Sequence, residues 1–278
     1  MRLTLPLIIE ADTLYNHLDD ENLIIIDLSI PGAYKEGHIP GAIHVNYPSI
    51  VYAHDDVDCD IPPDEQLSEA LSTIGLLPEH KIVAYDGQHN PMACRLLWTL
   101  EELGFPHENL SILNGGWHAW KDSGLPIDKT PNTLLPSNFI AKQTSLLNAR
   151  RDYIEARLNN PDVIILDTRM VEEFTNELLI CDRGGNIPGA VHFNWENNFN
   201  EEDSYKFFPD EILLKNFSKL GVTPDKEIIV YCQTHFRSAH TYWVLRHLGF
   251  NNVRGYASGY SEWGNAEDTP IENEALEA

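Results

Sequence analysis

The sequence predicts an α/β protein of two similar domains, each a mostly parallel sheet with helices on both faces. Two observations support this prediction: short apolar runs alternate with amphipathic stretches, and the whole order of segments occurs twice. Alternating strands and helices favour a parallel sheet, because a helix carries the chain back to the start of the next strand. A length of 278 residues is sufficient for two domains that each bury a core.

Four short runs of aliphatic and β-branched residues are the predicted central strands. They lack the alternation of a half-exposed strand, so we expect both faces to be covered. The runs are Ile24–Ile26, Ile82–Tyr85, Ile164–Leu166 and Ile228–Tyr231. The helical patterns Asp64–Leu71 and Asp210–Phe217 each follow a proline, which is a common helix opening. Residues 1–10 lack a signal-peptide pattern and are interpreted as a first strand.

The order of these segments indicates a tandem duplication. Five blocks recur in register, each in the first half and again in the second. The pairs are Leu23–Asp27 with Val163–Asp167, His38–Asn46 with Asn186–Asn194, Lys81–Tyr85 with Glu227–Tyr231, Leu103–Phe105 with Leu248–Phe250, and Gly116–Trp117 with Gly259–Tyr260. We therefore predict domains at residues 1–125 and 146–278, joined by a linker at 126–145 that is rich in Pro, Thr and Asn.

Composition excludes several classes of function. A formal net charge of −24 disfavours binding to nucleic acid or anionic membranes, and no stretch has the roughly 20 apolar residues of a membrane helix. The four cysteines form no Cys-x-x-Cys pair, so no metal site and no cofactor are expected. Such sparse cysteines fit a reducing compartment, and we predict a cytoplasmic monomer.

The two halves differ at one chemically important position. Cys232 follows the strand Glu227–Tyr231, whereas Asp86 stands at the same place in the first half. A loop between a parallel strand and a helix N-terminus is where open α/β sheets bind ligands, and its free amides stabilise an anion. A thiolate or a persulfide would be stabilised there, with Arg237 adding positive charge. A buried structural cysteine is the alternative interpretation of Cys232.

These motifs resemble the rhodanese family, specifically the tandem-domain thiosulfate sulfurtransferases of bacteria. The resemblance covers nearly the whole chain and depends on the two Ile-Pro-Gly-Ala blocks, the aspartate-ended strand before each, and a cysteine loop in the second copy alone. Two positions depart from the pattern. Phe236 replaces the second histidine of a Cys-Gln-Thr-His-His-Arg loop, which affects the choice of acceptor, and Asn186 replaces the usual histidine before the second block.

The resemblance implies a double displacement, in which Cys232 takes the outer sulfur of thiosulfate and passes it to cyanide, a thiol or a protein acceptor. Arg169 matches the family arginine that binds the donor anion. Arg183 is a second candidate for that task, with a solvated loop arginine as the alternative. The residues expected to surround the small anionic donor are Arg169, Arg183, Gln233, Thr234, His235, Phe236 and Arg237.

Several other residues receive structural interpretations. Asp86 cannot carry a persulfide and is expected to cap the following helix, so the first domain is predicted to be catalytically silent and to form one wall of the cleft. Asp167 is expected to end a strand or cap a turn, and His235 to form hydrogen bonds or control access. Cys94 is assigned to the core. Cys181 is assigned to packing, with a disulfide to oxidised Cys232 as the alternative.

Three other functions stay open. A cysteine phosphatase or arsenate reductase also places a thiolate in an anion loop that ends in arginine, but with Cys-x5-Arg spacing, whereas Cys232 and Arg237 are separated by four residues. A 3-mercaptopyruvate sulfurtransferase shares the tandem fold, typically with small residues after the cysteine. A non-catalytic sulfur carrier or protein-binding module is the third alternative, favoured by the bulky Phe236.

Overall fold

The computed structural model describes residues 5–55 and 57–273. The strands are β1 (Ile8–Ile9), β2 (Leu23–Asp27), β3 (Ile43–His44), β4 (Tyr52–His54), β5 (Val57–Asp60), β6 (Lys81–Tyr85), β7 (Leu110–Leu113), β8 (Val163–Asp167), β9 (Val191–His192), β10 (Phe199–Asn200), β11 (Lys206–Phe207), β12 (Glu227–Tyr231) and β13 (Val253–Gly255). The helices are α1 (Ala11–Tyr15), α2 (Pro31–Glu36), α3 (Asp64–Thr73), α4 (Pro91–Glu102), α5 (Gly116–Asp122), α6 (Arg151–Glu155), α7 (Val171–Phe174), α8 (Asp210–Lys219), α9 (Arg237–His247) and α10 (Gly259–Asn265). Within residues 1–10, which were interpreted as a strand, the structure has the short strand β1. Residues 1–4 lie outside the described part of the chain.

The chain divides into two compact units. The first comprises Met1–Val51, Pro62–Thr144 and Phe199–Phe207, and the second comprises Tyr52–Ile61, Ser145–Asn198 and Phe208–Ala278. Each unit therefore includes one antiparallel hairpin from the other half of the sequence: β10–β11 belongs to the first unit and β4–β5 to the second. Most of the predicted linker belongs to the first unit, where Asp128 pairs with His38 and Asn132 with Ile43.

Each unit is built on one parallel sheet. The strand order is β1-β7-β6-β2-β3 in the first unit and β13-β12-β8-β9 in the second, and every pairing within these sheets is parallel. Helices flank both sheets, so the predicted fold class is confirmed. The uninterrupted apolar runs form the central strands because both faces of these strands are covered: the last four residues of β2, β6 and β12 are buried.

The duplication extends to a buried hydrogen-bond network at the strand ends. The Tyr85 hydroxyl donates to Asp27 at 2.5 Å, and the Tyr231 hydroxyl donates to Asp167 at 2.6 Å. In each unit the tyrosine oxygen also accepts the amide of the isoleucine in the Ile-Pro-Gly-Ala block. Burial, with the aspartate beside it, raises the pKa of each tyrosine well above its ordinary value. The tyrosines therefore remain protonated and fasten each block to the sheet.

The candidate site lies at the carboxyl edge of the second sheet. β12 and β8 are adjacent, with Tyr231 in register with Asp167, so the loops after both strands leave the sheet side by side. α9 follows β12 directly and is buried from residue 238 to residue 245. Because α9 is held on several sides, the position of its N-terminus against the loop is fixed.

No helix within residues 5–55 and 57–273 is long and apolar enough to cross a membrane. Over the same ranges, His, Cys, Asp and Glu side chains form no group of three or more that could hold a metal ion.

Candidate active site

Cys232 lies between the end of β12 and the start of α9, and its side chain is fully buried. The Ser238 hydroxyl, in the first turn of α9, lies 3.4 Å from the Cys232 sulfur and donates to it. The same hydroxyl lies 2.7 Å from Nδ1 of His235, which is also buried. The Ser238 hydroxyl thus lies between the Cys232 sulfur and Nδ1 of His235 and contacts both. This arrangement orients both side chains, and it fits the hydrogen-bonding role expected for His235.

The backbone of the cysteine loop is held by the N-terminus of α10. The Tyr260 amide donates to the Cys232 carbonyl at 2.8 Å, and the Ser261 amide donates to the Gln233 carbonyl at 2.9 Å. Gly259 precedes them with φ +61°, and a Cβ atom there would lie 2.5 Å from the Gln233 carbonyl oxygen. Only glycine therefore allows this approach. The repeat of Gly116–Trp117 as Gly259–Tyr260 was the sequence signal for this contact.

Arg237 is the first residue of α9 and forms a bidentate ion pair with Glu173. Its Nη2 donates to Glu173 Oε1 at 2.8 Å, and its Nη1 donates to Oε2. The Glu173 side chain is 2% exposed and also accepts the Met170 amide at 3.1 Å, which closes the first turn of α7. Burial lowers the pKa of Arg237, but Glu173 and Cys232 outweigh it, so the pKa is raised and the cation is permanent.

Ser238 was not predicted as a site residue from the sequence, and neither was Glu173. Its partner Arg237 is 64 residues away along the chain. The available signal was weak: an acidic residue in the first turn of a short helix after the Asp167–Arg169 segment.

Arg169 is buried and held by protein acceptors. Its Nε and Nη2 donate to the Asp167 carboxylate at 2.6–3.1 Å, and Nη2 also lies 2.8 Å from the Gly185 carbonyl and from the Asn186 side chain. Its guanidinium stacks 4.0 Å from the centre of the Tyr260 ring. These contacts fasten the strand end to the second Ile-Pro-Gly-Ala block. Asp167 also accepts the Arg169 amide at 2.9 Å, so it caps the turn as expected.

Arg183 has a structural task at the C-terminus of α10. Its guanidinium donates to the carbonyls of Trp263 and Thr269, each at 3.1 Å, and to the carbonyl of Ala266. The last carbonyls of a helix have no partner within the helix, and a cation there also complements the helix dipole. The side chain is therefore bonded to protein and is not a solvated loop arginine.

A small pocket beside the loop has room for about one water molecule. Its charged lining residues are Arg169, Arg183 and Glu173, and Gln233 and Cys181 also face it. The Cys181 sulfur accepts the Gln233 side-chain amide at 2.8 Å. Burial raises the pKa of the Cys181 thiol. Cys181 thus stays a neutral thiol that packs against the loop.

The other predicted residues are divided between the loop and the core. Gln233, Thr234 and Phe236 are half-buried in the loop, whereas Cys94 is fully buried in α4. Burial raises the pKa of Cys94 well above its ordinary value, and the nearby Asp86 adds to the effect. The structure thus brings Cys232 together with its loop, Ser238 and Arg237, and assigns Arg183 to the end of α10.

The equivalent loop in the first unit holds a carboxylate. Asp86 is fully buried, and its Oδ1 accepts the amides of Gln88 at 2.6 Å and Asn90 at 2.9 Å. Its Oδ2 accepts the amides of Met92 at 2.9 Å and Ala93 at 3.1 Å, so it caps α4 as expected. Burial raises the pKa of Asp86 to about 6, although the four amides oppose the rise. The loop therefore provides four inward-facing donors for one anionic group.

The sequence profile of the rhodanese-like domain matches residues 10–123 and 150–266. A thiosulfate sulfurtransferase of Azotobacter vinelandii is 35% identical over 97% of this chain and 98% of its own length. A thiosulfate sulfurtransferase of Pseudomonas aeruginosa is 33% identical over 96% of this chain and 97% of its own length.

Solved structures share the fold at lower identity. The anaerobic ergothioneine biosynthesis enzyme of Chlorobium limicola, bound to trimethyl histidine, has a TM-score of 0.85 at 22% identity, over 97% of this chain and 71% of that one. YnjE has a TM-score of 0.84 at 21% identity, over 95% of this chain and 68% of that one. The chain belongs to the rhodanese family, with two rhodanese-like domains in tandem.

Proposed function

We propose that this enzyme is a thiosulfate sulfurtransferase that carries sulfur as a persulfide on Cys232. The Cys232 thiolate attacks the outer sulfur of thiosulfate, the S–S bond breaks, and sulfite leaves with the bonding electrons. A thiophile such as cyanide or a thiol then attacks the terminal sulfur of the persulfide and restores the thiolate. The full-length relatives named thiosulfate sulfurtransferase support this proposal.

The main support for the proposal is the set of four backbone amides that bind the Asp86 carboxylate, here called the amide cradle. That loop and the Cys232 loop follow equivalent strands and precede equivalent helices. The amides of Gln88, Asn90, Met92 and Ala93 correspond in sequence to those of Thr234, Phe236, Ser238 and Ala239. The proposal is that the corresponding amides bind an anion at position 232, first the thiolate and then the persulfide. The first unit fills its cradle with its own carboxylate and is proposed to be silent.

The remaining expectations are proposals of the same kind. Gln233, Thr234, His235 and Phe236 surround the donor, Arg237 supplies positive charge at the loop, and Arg169 leaves only its Nη1 for a donor anion. Arg183 takes no part, because its guanidinium is occupied by helix carbonyls. The four free cysteines support a reducing, cytoplasmic setting, and we propose a monomer with domain limits near residues 125 and 146.

Steady-state kinetics test the proposal. With thiosulfate and cyanide, we expect parallel double-reciprocal lines, as in any double displacement, and no turnover in Cys232→Ser. Cys59→Ser, which removes a thiol elsewhere in the second unit, is the matched control and should retain wild-type rates. Faster turnover of 3-mercaptopyruvate than of thiosulfate, or aryl phosphate hydrolysis that disappears in Cys232→Ser, would overturn the assignment.

A further inference from the structure

A buried carboxylate stands among the positive groups of the proposed sulfur site. Glu173 lines the pocket beside Gln233, and both of its oxygens are bonded to Arg237. Arg237 is close enough to Cys232 for the sulfur's charge to raise its pKa. The cation that should attract an anionic donor to Cys232 is therefore already neutralised by a fixed anion of the protein.

The ion pair is held in place from both sides. Arg237 begins α9, which is buried along most of its length, and its side chain is 15% exposed. Glu173 is anchored by the Met170 amide within α7. Because water has little access, the Glu173 charge is weakly screened and acts on a donor at the Cys232 loop.

The arginines that line the pocket, Arg169 and Arg183, are also bonded to protein acceptors. Arg169 is paired with Asp167, and the Arg183 guanidinium donates to the carbonyls of Trp263 and Thr269. A dianion such as thiosulfate therefore meets a site in which Arg237 and Arg169 are each matched by a carboxylate, so that backbone amides supply much of the attraction.

We propose that Glu173 is a specificity-determining positioning residue, which acts through Arg237 and weakens the binding of dianionic sulfur donors relative to donors of lower charge. This inference rests on the proposed sulfurtransferase function. The electrostatic energy by which Glu173 opposes donor binding is proportional to the charge of the donor. The factor by which it raises the dissociation constant of a dianion is therefore the square of the factor for a monoanion.

The test compares two donors that transfer the same kind of sulfur. Thiosulfate is a dianion and releases sulfite, whereas methanethiosulfonate is a monoanion and releases methanesulfinate when the Cys232 thiolate takes its outer sulfur. In Glu173→Gln, which keeps the size of the side chain and an acceptor for the Met170 amide, the KM for thiosulfate should fall about tenfold. The KM for methanethiosulfonate should fall about threefold, with kcat changed less than about twofold for both donors.

Two controls separate this role from general effects. Glu172→Gln removes the same charge from the adjacent residue of α7 and should leave both KM values unchanged. In an Arg237→Gln background, Glu173→Gln should lower the thiosulfate KM by about threefold at most, because the cation it would release is absent and only the direct repulsion of the donor by Glu173 remains. If Glu173→Gln does not fold, Glu173→Met, which also lacks the charge, takes its place.

An equal effect on both donors, an unchanged or higher thiosulfate KM, or the same effect in the Arg237→Gln background would overturn the inference. Failure of the proposed function has a different signature, since wild-type protein would then take up no sulfur from thiosulfate. A wild type that takes up sulfur and a Glu173→Gln variant with unchanged KM values would overturn the inference alone.

Discussion

Positions 86 and 232 are the same place in two copies of one fold, occupied by a carboxylate and by a thiol. The carboxylate fills its cradle completely, with two amides on each oxygen. The thiol side chain has fewer atoms, and its sulfur accepts the Ser238 hydroxyl. A persulfide adds one anionic sulfur at about the distance that a second carboxylate atom would occupy. Under the proposed function, the exchange of one residue type distinguishes a self-capped loop from one that holds a transferable sulfur.

Asp86 gives a pH dependence whose sign follows from its raised pKa. Folding raises this pKa from 3.8 to about 6, so the folded state holds the proton more tightly than the unfolded state does. The stability contributed by protonated Asp86 is fully present below pH 3.8 and is lost as the pH rises through about 6. The loss amounts to about 3 kcal/mol of unfolding free energy for this fully buried group.

Denaturant unfolding of wild type and Asp86→Asn between about pH 4 and about pH 8 measures this contribution. The asparagine side chain of the variant does not titrate, so the stability of the wild type minus that of the variant should fall as the pH rises through about 6. A difference that rises over the same range would contradict the expectation, because it would mean that the four amides outweigh burial.

At the scale of elements, α10 supports the cysteine loop. Its first amides bind the Cys232 and Gln233 carbonyls, and Arg183 satisfies carbonyls at its other end. The positive φ of Gly259 and its close approach to the loop both require glycine. The loop geometry is therefore set by a helix that begins 27 residues after the cysteine. It begins at Gly259, which corresponds to Gly116 in the first repeat.

Gly259→Ala should displace the loop and lower kcat/KM with thiosulfate about a hundredfold, because small misplacements of reacting groups have effects of that order. Gly249→Ala is the matched control. Gly249 also has a positive φ, +86°, but an added Cβ would meet nothing within 4 Å. Both variants should lose about 1–2 kcal/mol of unfolding free energy through backbone strain. A similar loss of activity in both would show that strain, and not contact with the loop, is responsible.

At the scale of the whole molecule, duplication made most of the fold predictable. Apolar runs and repeated blocks predicted the parallel sheets, and the difference between Cys232 and Asp86 indicated the candidate site. The pairing of Glu173 with Arg237 and the capping by Arg183 were not predictable, because they join residues 64 and 80 or more positions apart. The hairpins β4–β5 and β10–β11 were missed because their strands have only two to four residues and carry no clear periodicity.

The central claim is that the chain carries one transferable sulfur, on Cys232. Intact mass spectrometry after treatment with thiosulfate and removal of excess donor measures it directly. We predict a gain of about 32 Da, one sulfur per chain, confined to the peptide that contains Cys232, reversed by cyanide and absent from Cys232→Ser. No gain in mass, two sulfurs per chain, or an adduct that persists in Cys232→Ser would contradict the claim.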